Sequence, residues 1–322
     1  MKKILVTALG SFSSGCTLNH LKSNNYYIVG TGVHDQKLVA ESVLTDRYYK
    51  VPYAVDSEAF LNALYNICEK EKINYLLPLT DSEVDVLNAN RKWFEEHDVI
   101  LCFSEKDVIN LCRNKMKITQ LLSEVEGVNI IPTSYIKDIS DGDVILPVVC
   151  KEVDGRSSQN LNYISTKEDW MKYKEMIEKE NMIVQPYVEG IVVTADVIRQ
   201  FDGKYCVVIP RKELVRTHNG AGLSVQIFID EKLTDLCILI ADKLNVTGCV
   251  NFEFIMDSEG HYHFLECNPR FSGGIAFSCM TGYDCILNHL RCFDKESIDC
   301  FTLEKECYIA RKYEEYITAE KE

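Results

Sequence analysis

The sequence predicts a parallel α/β domain at the N-terminus, followed by an α+β region with antiparallel sheet. Three observations carry that expectation. Helix-like and strand-like segments alternate through about residue 104, the texture changes near residue 108, and the last third holds long strand-like runs. A length of 322 residues agrees with more than one folding unit.

The elements follow in order. Residues 3–8, KILVTA, read as a buried strand, and LGSFSSG, with Gly10 and Gly15, as a strand-to-helix turn. A helix then runs to about Lys22 and a strand covers Tyr26–Gly30. Asp56 to Lys72 places Phe60, Leu61, Leu64, Ile67 and Cys68 at helical spacing, and Tyr75–Leu79 is a short apolar strand. The turn lacks GxGxxG, so it offers no dinucleotide fingerprint. Lys106 to Glu124 forms a helical stretch rich in Lys and Asn, and Pro132 ends the connection after it. Val144–Val153 reads as a strand, Lys167–Lys179 as a helix and Met182–Gln185 as a strand. Ile191–Gln200, Tyr205–Ile209, Val225–Ile229, Val250–Met256 and His261–Leu265 are strand-like, with a helix at Lys232–Leu244 among them. Boundaries fall at 107 and 188, giving units 1–107, 108–188 and 189–322.

Composition narrows the function. The chain is 46% hydrophobic and 26% charged, with 16 Gly and 7 Pro, which excludes a disordered or collagen-like protein. Thirty-five Lys plus Arg against 49 Asp plus Glu give a net charge of −14, which argues against nucleic acid as the main partner. No apolar run approaches the length of a membrane span. Lys2, Lys3 and Ile4–Leu9 before Cys16 loosely mimic a lipoprotein signal, but a buried strand and a glycine turn explain them better. The 14 cysteines show no CxxC pair and no finger spacing. They are expected to be reduced core residues of a cytoplasmic protein, with no thiolate cluster.

Val250–Arg270, VNFEFIMDSEGHYHFLECNPR, carries the chemistry. Asp257–Gly260 is a turn between two strands, and pairing Met256 with His261 sets Glu253 opposite Phe264 and Asn251 opposite Glu266. Glu253 and Glu266 then share a face as diagonal neighbours about 7–8 Å apart, with Asn268 beyond them. Two carboxylates and an amide suit a hard cation such as magnesium. A solvated polar face on an ordinary hairpin is the bland alternative. Arg270 follows and can fork onto a phosphate. Upstream, Lys151 sits inside the apolar strand Val148–Lys151, where a charge is costly without an anion. Asp154–Ser158 is small and polar, able to turn backbone N–H groups toward phosphate. Lys115, taken alone, reads as a surface lysine.

The order Lys115, Lys151, Gln185-Pro186-Tyr187-Val188-Glu189-Gly190, Glu253, Glu266-Cys267-Asn268-Pro269-Arg270 closely resembles the ATP-grasp superfamily, on the branch of the carbamoyl-phosphate synthase large chain. The resemblance covers nearly the whole chain. It implies a pre-ATP-grasp α/β domain before a two-lobed ATP-grasp fold. It also implies an ADP-forming ligase that joins a carboxylate to an amine or ammonia through an acyl phosphate. Lys115 and Lys151 would hold the phosphates of ATP, with Gly155, Ser157 and Ser158 in the phosphate loop. Gln185, Pro186, Tyr187 and Val188 would form the adenine hinge. Glu253, Glu266 and Asn268 would be ligands to magnesium, for which manganese can substitute, and Arg270 would sit near the transferred phosphate. Phe264 would line the adenine pocket or the core. The pattern departs from the family in two places. Ser157 and Asn160 stand where extra glycines are common, and Ile191 and Val192 follow Gly190 where relatives place an acid, leaving Glu189 as its substitute.

Other residues are read singly. Arg211 and Arg216 precede the loop 217–222 and are either substrate-steadying or an exposed basic cluster. His218 is a proton carrier or merely exposed. Asp81 and Glu83 follow a strand end, where α/β sheets bind ligands, and either recognise an amine or open a helix. His261 and His263 are expected to face away from the two glutamates. A kinase-like phosphotransferase and a nucleotide-binding regulatory protein remain the rival functions, and a homo-oligomer is compatible with any of them.

Overall fold

The computed structural model describes residues 1–140, 142–156, 160–177, 179–218 and 220–320. The first sheet is built from β1 (Lys3–Val6), β2 (Tyr27–Gly32), β3 (Arg47–Lys50), β4 (Tyr75–Leu77) and β5 (Ile100–Leu101), all parallel, in the order β3-β2-β1-β4-β5. Helices α1 (Ser14–Ser23), α2 (Ser57–Glu71), α3 (Asp81–Ala89) and α4 (Arg91–Glu96) alternate with the strands. Alternate strand residues serve two cores. Leu5, Val29 and Leu76 pack with Phe60, Leu64, Val84 and Phe94 of α2–α4. Ile4, Val6, Ile28 and Leu77 pack instead against Ile209, Phe271, Phe277 and Leu290 from the far end of the chain. Burial on both faces explains why these strands read as unbroken apolar runs. Strand order reverses between β1 and β4, so the loops after these two strands open on one crevice.

The helical stretch from Lys106 divides into α5 (Lys106–Arg113) and α6 (Lys115–Ser123). The break is at Asn114, which is extended and whose Oδ1 accepts the Lys117 N–H at 2.9 Å, the N-cap pattern. Val108, Cys112, Ile118 and Leu122 of these helices share a core with the large C-terminal sheet. After β6 (Asn129–Ile130) come β7 (Ser134–Tyr135), β8 (Val148–Glu152), β9 (Asn162–Ile164), α7 (Lys167–Met176) and β10 (Met182–Pro186). The last four strands form an antiparallel sheet, order β7-β10-β8-β9, over a small core of Ile136, Cys150, Ile164, Trp170 and Val184.

The remaining elements are β11 (Ile191–Arg199), β12 (Cys206–Arg216), β13 (Gly222–Ile227), α8 (Glu231–Leu244), β14 (Gly248–Met256), β15 (Tyr262–Asn268), α9 (Ile275–Cys279), α10 (Cys285–Phe293) and β16 (Cys307–Ala310). Their sheet runs β16-β13-β12-β11-β14-β15-β6 and is antiparallel except where β15 meets β6. Val193, Val197, Phe252 and Phe254 point to α8, packing on Leu233 and Ile240. The alternating residues of the same strands, including Thr194, Asp196, Asn251 and Glu253, form the opposite face.

The hairpin register differs from the sequence expectation. Met256 pairs with Tyr262, not His261, and Phe254 pairs with Phe264. A bulge at Leu265 then sets Glu253 directly opposite Glu266 and Asn251 opposite Asn268. Phe264 therefore lies in the core beside Phe252 and Phe254, not in a ligand pocket. His263 pairs with Ile255 on the Glu253 side, contrary to expectation, and its Nε2 is 2.9 Å from Asp257 Oδ2.

Candidate functional site

Two cavities meet where the three sheets converge. The larger, about 510 Å³, lies between the loops after β1 and β4 and the inner face of the large sheet. The smaller, about 250 Å³, lies between the four-stranded sheet and the β14–β15 edge. Arg156, Arg216, Glu253 and Glu266 line both.

The smaller cavity gathers most of the nucleotide candidates. Lys151, Gly155, Gln185, Pro186, Tyr187 and Val188 line it, as does Lys115 from the start of α6. Its apolar walls are Ile131, Val149, Leu161, Ile255 and Leu265, which sequence reasoning did not single out. Lys115 is buried, not a surface lysine. Its Nζ donates to the Gly155 carbonyl at 2.5 Å and lies 4.0 Å from Glu266 Oε2. Burial lowers its pKa, opposed by Glu266. Lys151 is 8% exposed and has no hydrogen bond or ion pair among the described residues. Burial drives its pKa down to about 8, against the pull of Glu266. Gln185 is held by its amide donating to Thr133 Oγ1 at 2.7 Å. The Tyr187 N–H donates to the Pro147 carbonyl at 3.0 Å, whereas the Val188 N–H has no partner among the described residues and can read a base edge. Glu189 is exposed and does not line the cavity. Ser157 and Ser158 lie outside the described residues.

At the junction, Asn268 Nδ2 donates to Glu253 Oε1 at 3.2 Å and Glu266 Oε1 at 3.1 Å. Burial raises the Glu253 pKa, and the facing Glu266 raises it further. Two opposed carboxylates and an amide form an all-oxygen donor set, and the carboxylates face each other at one register position. That arrangement fits a hard divalent cation, with the Asn268 amide rotated to present Oδ1. Arg216 NH2 lies 3.6 Å from Glu253 Oε2, and its Nε donates to the Gly220 carbonyl at 2.8 Å.

The larger cavity holds the arginines. Arg270 NH2 donates to Asp81 Oδ2 at 2.6 Å, and Arg113 reaches Asp81 Oδ1 at 2.6 Å and Asp85 Oδ1 at 2.7 Å. Arg156 pairs with Asp85 as well. Burial alone would raise the Asp81 pKa, but Arg270 and Arg113 hold it well below the carboxylate range. Asp81 is thus a strut that aims Arg270 from the α3 N-terminus. Glu83 is not brought to the cavity: it is buried and accepts from Thr7 Oγ1 at 2.7 Å and Thr80 Oγ1 at 2.8 Å. Arg211 is 1% exposed, so the exposed-cluster reading fails for it. Its Nη1 donates to Asp196 Oδ2 at 2.7 Å and its Nε to Glu213 Oε1 at 3.0 Å. Glu213 Oε2 has no hydrogen-bond partner among the described residues, and Glu213 lines the cavity. Asp196 sits amid the apolar run Val193–Ile198, a mid-strand charge of the kind that marked Lys151, so the same signal could have found it. His218 is exposed and outside the lining.

Known proteins share this fold. A family described as ATP-grasp in the biosynthetic pathway with Ter operon matches residues 178–315, and the PylC-like N-terminal domain matches residues 14–102. The carbamoyl phosphate synthase large chain of Thermoplasma acidophilum is 24% identical over 285 residues, 82% of this chain and 27% of that protein. That of Thermoplasma volcanium is 22% identical over 295 residues, 84% of this chain and 28% of that protein. The chain thus spans about a quarter of the length of these curated relatives. Among solved structures, biotin carboxylase from Campylobacter jejuni in a β,γ-ATP complex superposes with a TM-score of 0.76 at 20% identity, covering 93% of this chain and 72% of that one. N5-carboxyaminoimidazole synthetase from Staphylococcus aureus, complexed with ADP, gives 0.75 at 16% identity over 95% and 81%. Among the described residues no helix is long and apolar enough to cross a membrane. Fold, motif order and both matched families point one way: the chain is similar to the ATP-grasp superfamily, with residues 178–315 matching an ATP-grasp family.

Proposed function

We propose that the chain is an ATP-dependent, ADP-forming ligase that joins a carboxylate to an amine or ammonia through an acyl phosphate. The observation that carries this reading is the junction of two cavities at Glu253, Glu266 and Asn268. One cavity is lined by a hinge and buried lysines, and the other by arginines. The units 1–107, 108–188 and 189–322 would supply the larger cavity's outer wall, the smaller cavity's lid and the junction.

Lys151 and Lys115 bind the phosphates, since a buried ammonium without an anion is costly and phosphate supplies one. The Val188 N–H and the Gln185–Pro186 backbone orient the base, with Ile131, Ile255 and Leu265 packing on its faces. Glu253, Glu266 and Asn268 would hold magnesium, or manganese in its place. A divalent cation there supplies neutralisation of phosphate charge that the two lysines do not complete. Arg270, aimed by Asp81, and Arg216 face the larger cavity and orient the carboxylate toward the terminal phosphate. Attack of the carboxylate oxygen on that phosphorus breaks the bond to ADP, and the amine then displaces inorganic phosphate from the acyl carbon. Enclosure by both cavity walls keeps water from the acyl phosphate.

Mg-dependent ADP release is the test, run against pooled carboxylates with and without pooled amines and ammonia. Release that requires both pools is expected. A stable phosphoester product would instead make the protein a phosphotransferase, and tight nucleotide binding without turnover on any pool would make it a binding protein.

A further inference from the structure

Away from the cavities, the α1 face turned toward α9 and α10 carries a second cluster. Cys16 and His20 are four residues apart on α1 and so share one helix face. Cys279 ends α9, and the donor atoms of all three lie within 4.8 Å of one another. The expectation that the cysteines offer no cluster is corrected here: it rested on spacing in sequence, whereas Cys279 reaches Cys16 only through the fold.

We propose that Cys16, His20 and Cys279 bind a thiophilic divalent cation, zinc by the chemistry of the donors, fastening the N-terminal sheet domain to α9 and α10. Ligands at about 2.3 Å for sulfur and 2.0–2.1 Å for nitrogen around one tetrahedral ion stand about 3.5–3.8 Å apart. From separations of at most 4.8 Å, the cluster needs a contraction of no more than about 1.3 Å to reach that. A second observation concerns His20. Its Nδ1 is 2.9 Å from Asp284 Oδ1, which leaves Nε2 as the nitrogen for an ion. Asp284 is itself fixed, accepting from the Leu287 N–H at 2.9 Å as the α10 cap and from Asn24 Nδ2 at 3.3 Å. A carboxylate orienting a histidine in this way is the usual outer support of a metal ligand. Cys16 and His20 are partly exposed, so water takes the fourth position.

The site would set the wall of the larger cavity. Ser11–Ser13 leads into α1 and Ser272–Gly274 into α9, and both segments line that cavity. Occupancy would clamp them together without contacting the nucleotide candidates.

Cobalt(II) titration of the reduced, metal-stripped full chain in excess Mg2+ tests the proposal. One cobalt per chain is expected, with thiolate-to-cobalt charge-transfer absorption and the strong visible bands of a tetrahedral site. Glu253 and Glu266 cannot produce those bands. Cys16→Ser and Cys279→Ser should lose the charge transfer, Cys300→Ser should keep it, and Asp284→Asn should weaken binding about 10- to 100-fold. In the unmutated chain, zinc should also protect Cys16 from alkylation, a readout that no variant's folding can disturb. A reduced wild-type chain without charge transfer overturns the site, whether or not Cys16 and Cys279 oxidise to a disulfide. Full charge transfer in both serine variants overturns it too.

Discussion

Replacing Lys151 by methionine should make the nucleotide-free protein more stable and its nucleotide binding weaker. Lys151 is buried in β8 with no hydrogen bond or ion pair among the described residues, and burial lowers its pKa from 10.5 to about 8 against the more distant pull of Glu266. That drop corresponds to about 3 kcal/mol against the charged form. At neutral pH the lysine is protonated in both folded and unfolded chains, so the whole penalty weighs on the folded state. Methionine keeps the length and the apolar stem, and relief of about 1–3 kcal/mol is expected. The same change removes a charge-assisted contact to phosphate worth about 1.5–3 kcal/mol, so ATP affinity should fall by about 10- to 150-fold. Urea denaturation without nucleotide and calorimetric titration with Mg-ATP read the two effects separately. The sign with pH follows. Between pH 8 and 10.5 the unfolded chain still holds the proton that folded Lys151 has lost, so wild-type stability rises with pH there and the variant's advantage shrinks. A variant less stable than wild type, or one with unchanged ATP affinity, would refute a buried cation kept for an anionic ligand.

Four further outcomes are expected. Glu266→Gln should abolish Mg-dependent turnover while circular dichroism reports an intact fold, and full activity would remove Glu266 from the metal site. Arg211→Met leaves Asp196 and Glu213 buried without their guanidinium and should cost about 3–5 kcal/mol in urea denaturation. Arg216→Met, partly exposed, should cost under about 1 kcal/mol and act on substrate KM instead. Phe264→Ala should lower stability by about 3–5 kcal/mol yet leave the ATP affinity of the folded protein within about twofold, because the ring packs in the core and not in the nucleotide cavity.

How much of this was legible in the sequence depends on the range of the signal. Strands buried on both faces, such as β1 and β4, announce themselves as apolar runs. Lys151 announced itself as a charge within one. Short elements without periodicity did not: β3 carries a half-exposed RYYK, and β6 and β7 are two residues each, pinned only by their partners. The helical period from Lys106 to Glu124 was right, but only the Asn114 side chain reveals that two helices share it. Arg211 resembled a surface residue because Asp196 is 15 positions away and reaches it only across the β11–β12 pair. In the Arg113–Asp81–Arg270 chain, Asp81 and Arg270 stand 189 positions apart in sequence. Long-range ion pairs leave no local trace.

The Glu253–Glu266 face forms on a register other than the one the sequence suggests. Pairing Met256 with His261 put both glutamates on one face. The true pairing, Met256 with Tyr262, is one residue longer, and a regular ladder on it would turn Glu266 into the apolar core against Phe252. Leu265 prevents this. As the extra residue of a bulge it stands opposite no partner, so Tyr262 and Phe264 face the core while Glu266 and Asn268 face the cavities. The bulge also swings the Leu265 side chain to the nucleotide cavity, beside Ile255. A bulge here therefore does two things that a regular strand cannot: it lets the β15 core residues end at Phe264 and begin again at Cys267, and it places an apolar wall and a carboxylate next to each other in sequence. Deleting Leu265 should restore a regular ladder in which Glu266 stays opposite Glu253, and only the apolar wall beside Ile255 is lost. Retained divalent binding together with weaker nucleotide binding is the expected result, and loss of the divalent site would show that the Glu253–Glu266 pairing is not what sets this face.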